Sequence, residues 1–136
     1  MKPGLTPGMF AEVGVVVTAA MCPHFDGVLV HPVLATWYVV HHMELAGRKL
    51  LEPYLEFAEE AVGAHIRVDH RSPAPVGSHV RVVAEALECR PHRLVCATRA
   101  LCGTRVVAEG EFVQIIMPKT RLHDLFERHR PGLEGG

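Results

Sequence analysis

The sequence HPVLATWYVVHHMELAGRKLLEPYL, residues His31–Leu55, predicts one long helix at the centre of the fold. Pro32 suits the first turn of a helix, because the N–H that proline lacks has no helical partner there. Pro53 cannot continue a helix interior. The roughly 20 residues between the two prolines would span about 30 Å. Apolar side chains surround most of this helix, as is typical of a buried one, while charged residues such as Glu44 and Arg48 exclude a membrane span.

The composition is that of an ordinary globular chain. Its 136 residues, 49% hydrophobic and 21% charged, predict a single domain over residues 1–136 with its own core. The net charge of -1 and the lack of a basic stripe argue against nucleic acid as a partner. The first residues lack the apolar run of a signal peptide, so we expect a cytoplasmic protein without membrane segments. The absence of Asn fits a thermophilic source or a GC-rich genome.

The rest of the chain predicts strands joined by short turns. Met9–Ala20 is rich in Val and free of proline, which favours a strand. After the helix, apolar and polar residues alternate in Ala64–Asp69, the pattern of a half-buried strand. Three further strands follow, at Ser78–Cys89, Arg93–Cys102 and Arg105–Met117. The flanking segments are an N-terminal loop at residues 1–8, a short helix at Lys119–Arg130 and a frayed tail at residues 131–136.

This order of elements predicts an α+β protein, in which a helix packs on one face of an antiparallel sheet. A curved antiparallel sheet of about five strands wrapped around one long central helix is the hotdog fold. Such a sheet leaves unpaired backbone at its edges, and pairing two copies edge to edge would cover one edge of each. We therefore expect a homodimer or a higher homo-oligomer.

Three polar residues are candidates for chemistry. Glu44 lies among apolar residues in the middle of the predicted helix, where a buried carboxylate needs partners or a raised pKa; the alternative is a solvated Glu paired with Arg48. Thr36 lies near the helix start, where a hydroxyl and unpaired backbone N–H groups could hold an oxyanion; the alternative is a cap or packing residue. His70 ends a strand, and the alternative for it is an ordinary surface histidine.

Further short motifs surround these residues: Ala35-Thr36, Met43-Glu44, Pro53-Tyr54-Leu55-Glu56, Gly63, His70 and Pro73-Ala74-Pro75-Val76-Gly77. With them, residues 33–115 resemble the fluoroacetyl-CoA thioesterase-like family of hotdog proteins. Eight residues separate Thr36 from Glu44 and 26 separate Glu44 from His70, which matches the family's Thr/Glu/His set. The resemblance implies a thioester hydrolase that acts on a small acyl-CoA, with Thr36, Glu44 and His70 as the catalytic set and Gly63 at the thioester site.

In such a site, Glu44 would act as general base or as nucleophile. Thr36 would stabilise the oxyanion, and His70 would pass a proton to the leaving thiolate or orient the water. No cofactor is expected beyond coenzyme A as part of the substrate. Three arginines on the strands near His70 are candidates for binding the phosphates of coenzyme A: Arg67, Arg71 and Arg81. We predict that Arg71 binds them. The alternative for each arginine is a solvated charge on the face of a strand.

Other functions are open to the same fold. One is a non-catalytic module that binds a CoA ester or another small ligand. Another is a hydratase, which would want an Asp and a His on the helix, but His41 and His42 have no Asp nearby. A metal site is not expected, because His41 and His42 point about 100° apart on a helix. The segment Asp26–Pro32 is shorter than in the fluoroacetyl-specific member and has no aromatic residue, so specificity for fluoroacetate does not follow.

Helix geometry separates two members of the catalytic set. Thr36 and Glu44 on one straight helix would lie about 12 Å apart along the axis and about 80° apart around it. They could share a side of the helix without touching. Either Thr36 precedes the regular helix, or the set is completed across a dimer interface.

Overall fold

The computed structural model describes residues 1–132, which form a five-stranded antiparallel sheet, a small hairpin and two α-helices. The elements in chain order are β1 (Phe10–Val16), β2 (His24–Phe25), β3 (Val28–Leu29), α1 (Thr36–Leu51), β4 (Glu59–His70), β5 (His79–Arg90), β6 (Arg93–Cys102), β7 (Arg105–Pro118) and α2 (Lys119–Arg128). Short 3₁₀ helices occur at Ala19–Met21 and Glu52–Tyr54. Most of the expected frayed tail, residues 133–136, lies outside the described residues.

The sheet has the strand order β1-β5-β6-β7-β4, and every neighbouring pair is antiparallel. Together with α1 on one face, this confirms the predicted α+β arrangement. Strand β4 begins at Glu59, earlier than the alternating pattern indicated. Its polar first residues have partners: Glu59 binds the N-terminal amine at 2.7 Å, and Glu60 binds Arg48 at 2.6 Å. These residues therefore extend the strand although their composition is typical of a turn.

Helix α1 begins at Thr36, so the prediction that Pro32 opens it is wrong. The residues before Thr36 are extended because their backbone bonds elsewhere. Val33 forms an isolated antiparallel bridge with Pro75, and the Leu34 N–H donates to the Ala74 carbonyl at 2.8 Å. Thr36 is consequently the first helical residue, where backbone N–H groups lack intrahelical partners.

The core lies between one face of α1 and the inner face of the sheet. The helix side chains that are fully buried here are Val39, Met43, Ala46 and Leu51. Small residues on β5 to β7, such as Ala84 and Ala100, are also fully buried and allow the helix to approach the sheet closely. Two buried polar groups are paired with the helix: Thr98 donates to the Met43 sulfur, and the Gln114 amide donates to the Gly47 carbonyl at 3.0 Å.

The opposite face of α1 is exposed, so the prediction of a helix buried on nearly all sides is wrong for the single chain. Trp37, His41, Glu44 and Leu45 recur at helical spacing and form this face. Trp37 is 45% exposed and Leu45 is 36% exposed. The sequence could not distinguish this face from the core-facing one, because it carries apolar side chains as well. Glu44 is therefore exposed rather than desolvated.

We expect Gly47→Ala to destabilise the fold, because a Cβ at position 47 would lie 2.6 Å from the ring of Phe112. Overpacking of this kind costs about 1–3 kcal/mol. Chemical denaturation of both proteins would measure the loss. Gly14→Ala is the control, since nothing lies within 4 Å of a Cβ added there. Equal midpoints for Gly47→Ala and the control would contradict the close approach of α1 to β7.

Candidate active site

Thr36 and His70 meet where α1 begins and β4 ends. The Thr36 Oγ1 and His70 Nδ1 atoms are 2.8 Å apart, a hydrogen bond whose donor depends on the imidazole tautomer. The two residues are 34 positions apart in the chain. They come together because the segment after His70, residues 71–77, pairs with the extended residues before Thr36. Two of the three predicted catalytic residues thus form a bonded pair.

The imidazole of His70 is held on the inner side of the sheet. In the β4–β7 ladder His70 lies opposite Ala108, which is fully buried. The Nε2 atom of His70 is buried and has no hydrogen-bond partner among the described residues. Burial lowers the pKa of His70, and the backbone of Ser72 acts in the opposite direction. The imidazole therefore tends to stay neutral, the form in which it can accept a proton.

Glu44 lines a cleft of about 310 Å³ together with His41, Arg48, Gly63, Phe112 and Gln114. Its carboxylate comes close to the β4 backbone: a Cβ on Gly63 would lie 3.1 Å from the Glu44 Oε1 atom. The β4 ladder has an irregularity between Gly63 and His65. Bulges are common beside active sites, and a strand glycine often marks the close approach of a ligand.

The Glu44 carboxylate has no hydrogen bond or ion pair with any residue in the range 1–132. The alternative of a pair with Arg48 does not occur, because that guanidinium binds Glu60 at 2.6 Å and Glu52 at 3.5 Å. Arg48 holds the pKa of Glu60 below its usual range. Glu44 is left unpaired beside an open cleft, where it can accept a proton or a ligand donor.

The candidate residues thus fall into two pairs, Thr36 with His70 and Glu44 with Gly63. Both pairs lie along α1 and β4, but eight helical positions, about 12 Å, separate them. A single chain does not assemble the three predicted catalytic residues around one point. This agrees with the separation expected from helix geometry.

The arginines predicted to bind CoA phosphates form ion pairs with acidic residues of the same chain. Arg71 binds Glu109 at 2.5 Å and lies 3.9 Å from Asp69. Those two acidic residues form a register pair one position before the inner-facing pair of His70 and Ala108, so their side chains lie on the outer face of the sheet. The structure therefore does not bring Arg71 together with His70, and its role in binding stays a prediction. Arg67 and Arg81 are paired in the same way, with Asp69 and Glu12.

Two residues of the Glu44 cleft escaped the sequence analysis, Phe112 and Gln114. Both lie on β7 and reach α1 at Gly47, where the missing side chain makes room for the Phe112 ring. The available signal was a glycine in the middle of an apolar helix, which costs about 1 kcal/mol relative to Ala unless packing requires it. The sequence did not show which side chain required that space.

Other features of the described residues carry no comparable set. A cleft of about 360 Å³ between β1 and β5 contains Glu12 and Arg81, which pair with each other, and none of the predicted catalytic residues. Within residues 1–132 no group of three His, Cys, Asp or Glu side chains is placed to hold a metal ion. No helix in that range is long and apolar enough to cross a membrane.

The family of the chain follows from its match to a family model. The model for the fluoroacetyl-CoA-specific thioesterase, FlK, matches residues 17–120. The chain belongs to this thioesterase family. The predicted resemblance is therefore confirmed over more than the part of the chain that suggested it. The chain matches no curated protein.

Solved structures agree with this assignment. A hypothetical protein from Thermus thermophilus, a thioesterase superfamily member, is 34% identical over 98% of this chain and 99% of that chain, with a TM-score of 0.91. The fluoroacetyl-CoA thioesterase FlK is 24% identical over 94% and 99%, with a TM-score of 0.85. A hot-dog-like protein from Thermanaerovibrio acidaminovorans is 16% identical over 96% and 95%, with a TM-score of 0.84. The last two show the fold, and the predicted hotdog fold is confirmed.

The buried position of His70 predicts its titration. We expect its imidazole to titrate below about 6.5, the value of an unperturbed histidine, because burial disfavours the charged form. The ring would then stay neutral as the pH falls through 6.5 and become protonated only at lower pH. NMR of the ring nitrogens, assigned with His70→Asn, would measure this. A midpoint at or above 6.5 would show that the ring is hydrated or paired with an anion.

Proposed function

We propose that the protein hydrolyses small acyl-CoA thioesters, with Thr36, Glu44 and His70 as its catalytic residues. The observation that carries this proposal is the hydrogen bond between Thr36 and His70 at the start of α1, in a chain of a thioesterase family. The unpaired Glu44 carboxylate beside Gly63 supplies the second group that hydrolysis requires. No metal is assigned a role, because no suitable set of ligands occurs in residues 1–132.

The proposed reaction is the attack of water on the thioester carbonyl. Glu44 accepts a proton from the water, or attacks first and forms an anhydride that water then opens. The carbonyl oxygen becomes an oxyanion, stabilised by the Thr36 hydroxyl and by unpaired N–H groups of the first helical turn. His70 Nδ1–H can donate to Thr36 Oγ1, which turns the hydroxyl proton toward the oxyanion. The C–S bond then breaks, and in the base route the proton that Glu44 took from the water passes to the departing CoA thiolate. In the anhydride route the thiolate leaves first and takes a proton from the water that opens the anhydride.

We further propose that the site is completed in a homodimer or higher homo-oligomer. Strand β4 is an edge of the sheet and carries both Gly63 and His70. If two copies pair antiparallel along β4 about a two-fold axis near Ile66 and Arg67, Gly63 of one copy lies opposite His70 of the other. Glu44 of the first copy would then approach the Thr36–His70 pair of the second. The exposed apolar side chains of α1 would be covered by the same contact.

The function is tested by steady-state hydrolysis of a panel of short acyl-CoA thioesters, with and without a chelator. We expect thiol release that is unaffected by the chelator, in keeping with a cytoplasmic enzyme that needs no cofactor beyond the CoA of its substrate. Tight binding of the panel without thiol release would favour the non-catalytic binding module instead. Loss of activity on chelation and its return with zinc would contradict the proposed chemistry.

We expect Glu44→Gln to lower kcat by about 10² or more, the usual scale for a positioned acid–base group. The substitution keeps the shape of the side chain and removes the charge that attacks or activates water. Affinity for a non-hydrolysable CoA thioether should change little. Glu85→Gln is a matched control, because Glu85 is an exposed carboxylate on β5 without a partner among residues 1–132. Equal rates for the two variants would remove Glu44 from the mechanism.

Mixing two inactive variants tests whether the site spans two chains. In a mixed dimer of Glu44→Gln and His70→Asn, one site would receive both intact residues and the other site neither. After subunit exchange we expect the mixture to recover up to about half the wild-type rate per mixed dimer. Each of the two variants is also mixed with Thr36→Ala. Only the mixture with Glu44→Gln should recover activity, because Thr36 and His70 of one site would come from the same chain. If the mixtures stay as slow as their components, the three residues act within one chain.

A further inference from the structure

We propose that Arg105 is a positioning residue for the Thr36–His70 pair. Its guanidinium fixes the segment that leads from His70 to the residues paired with the start of α1. The proposal rests on the proposed function for its catalytic consequence. Its structural consequence, the environment of the His70 ring, can be measured independently.

The segment of residues 71–77, here called the connector, links the two halves of the pair. The Leu34 N–H donates to the Ala74 carbonyl at 2.8 Å, and the Val76 N–H donates to the Pro32 carbonyl at 3.1 Å. Val33 and Pro75 lie opposite each other between these two bonds. The connector thus acts as a short strand against the residues that precede Thr36, and any shift of it moves the helix start relative to His70.

Arg105 holds the first part of the connector. One nitrogen, Nη1, donates to the Ser72 hydroxyl at 2.6 Å and to the Pro73 carbonyl at 2.7 Å. The Ser72 hydroxyl in turn donates to the Val106 carbonyl at 2.7 Å. Proline has no N–H, so Pro73 cannot join a backbone ladder as a donor. The Arg71 and Ser72 N–H groups already donate to the Val107 carbonyl, at 2.8 and 3.1 Å. The side chain of Arg105 extends this attachment of the connector to β7 as far as Pro73, which has no N–H of its own to donate.

Arg105 has no ion pair with any carboxylate in residues 1–132, whereas three other arginines on the strands, Arg67, Arg81 and Arg90, do. Its only side-chain bonds in that range go to two neutral oxygens of the connector. Hydrogen bonds from a charged donor are stronger than those between neutral groups. The position of this arginine is therefore explained by holding the connector rather than by neutralising an acidic residue.

The His70 ring depends on the connector because little else holds it. Among the described side chains it bonds only Thr36, the backbone group that acts on it belongs to Ser72 of the connector, and its Nε2 atom is buried without a partner. The charged groups nearest to it in the ladder, Asp69 and Glu109, lie on the outer face and pair with arginines. From α1 the ring meets the uncharged Thr36 hydroxyl. A looser connector would change the Thr36–His70 distance and admit water to Nε2.

The test compares Arg105→Gln, Arg105→Lys and the control Arg93→Gln. Arg93 also opens a strand after a turn, is exposed and has no partner in residues 1–132. We expect Arg105→Gln to lower kcat for a short acyl-CoA by about tenfold or more, with KM little changed, because misplaced groups slow the chemical step. Arg105→Lys keeps one charged donor and should recover most of the rate. Arg93→Gln should behave as wild type.

A double variant tests whether Arg105 acts on the reaction through His70. In a His70→Asn background, Arg105→Gln should cause no further loss of kcat, since residues that act as a unit are not additive. A purely structural role would lower the rate of both backgrounds by the same factor. Melting curves of all variants verify that each one is folded during the assay.

NMR titration of His70 supplies the readout that needs no substrate. Burial lowers the pKa of His70, so hydration of Nε2 in Arg105→Gln should raise it toward the ordinary value, and Arg93→Gln should not. An unchanged titration and an unchanged kcat in Arg105→Gln would overturn the proposal, as would an equal loss in the His70→Asn background. If the wild type hydrolyses no thioester but Arg105→Gln still moves the titration, the proposed function fails while the positioning role stands.

Discussion

The antiparallel contact between residues 32–34 and 74–76 is the constraint on which the site depends. Two backbone hydrogen bonds and one bridge keep the residues before α1 extended, so the helix begins at Thr36. The same contact positions the chain that leaves His70. One interaction thus sets both the residue at which α1 starts and the residue at which β4 ends. The Thr36–His70 hydrogen bond is its direct consequence.

A second constraint acts about three turns along the helix, at Gly47. Gly47 and Gly63 both face the Phe112 ring, from α1 and from β4. Without side chains at these two positions, helix, edge strand and ring approach one another closely, and the Glu44 carboxylate comes to lie against the β4 backbone. Close packing here serves stability and site geometry together, because relaxing it would widen the distance between Glu44 and Gly63.

The sequence predicted the elements of the sheet well, because alternation and turn residues are local signals. Strand β6 was predicted at its observed bounds, Arg93–Cys102. The hairpin of β2 and β3 was missed, although Asp26 and Gly27 are a typical pair for its turn and both have positive φ. The helix start was predicted four residues early, since Pro32 suits a first turn and the residues that hold it extended lie about 40 positions away.

The candidate site was predictable in its residue types and spacing, but its arrangement was not. The resemblance to the thioesterase family selected Thr36, Glu44 and His70, and helix geometry predicted that Thr36 and Glu44 would not touch. The sequence could not show that His70 joins Thr36 rather than Glu44, because that choice depends on the direction in which β4 runs past α1. The expected burial of Glu44 was wrong for a related reason. Exposed apolar residues such as Trp37 made the outer face of the helix resemble a core face.

The ion pairs around Arg48 explain how Glu44 stays available. An arginine four residues after a glutamate would ordinarily draw it into a surface pair worth a few tenths of a kcal/mol. Here Glu60, on the neighbouring strand, binds Arg48 at 2.6 Å, and Glu52 offers a second carboxylate at 3.5 Å. These two carboxylates occupy the guanidinium, which makes no ion pair with Glu44. The Arg48–Glu60 pair, which links α1 to β4 near Gly63, therefore also leaves the Glu44 carboxylate without a cation at the cleft. A base or a nucleophile requires such an unpaired carboxylate.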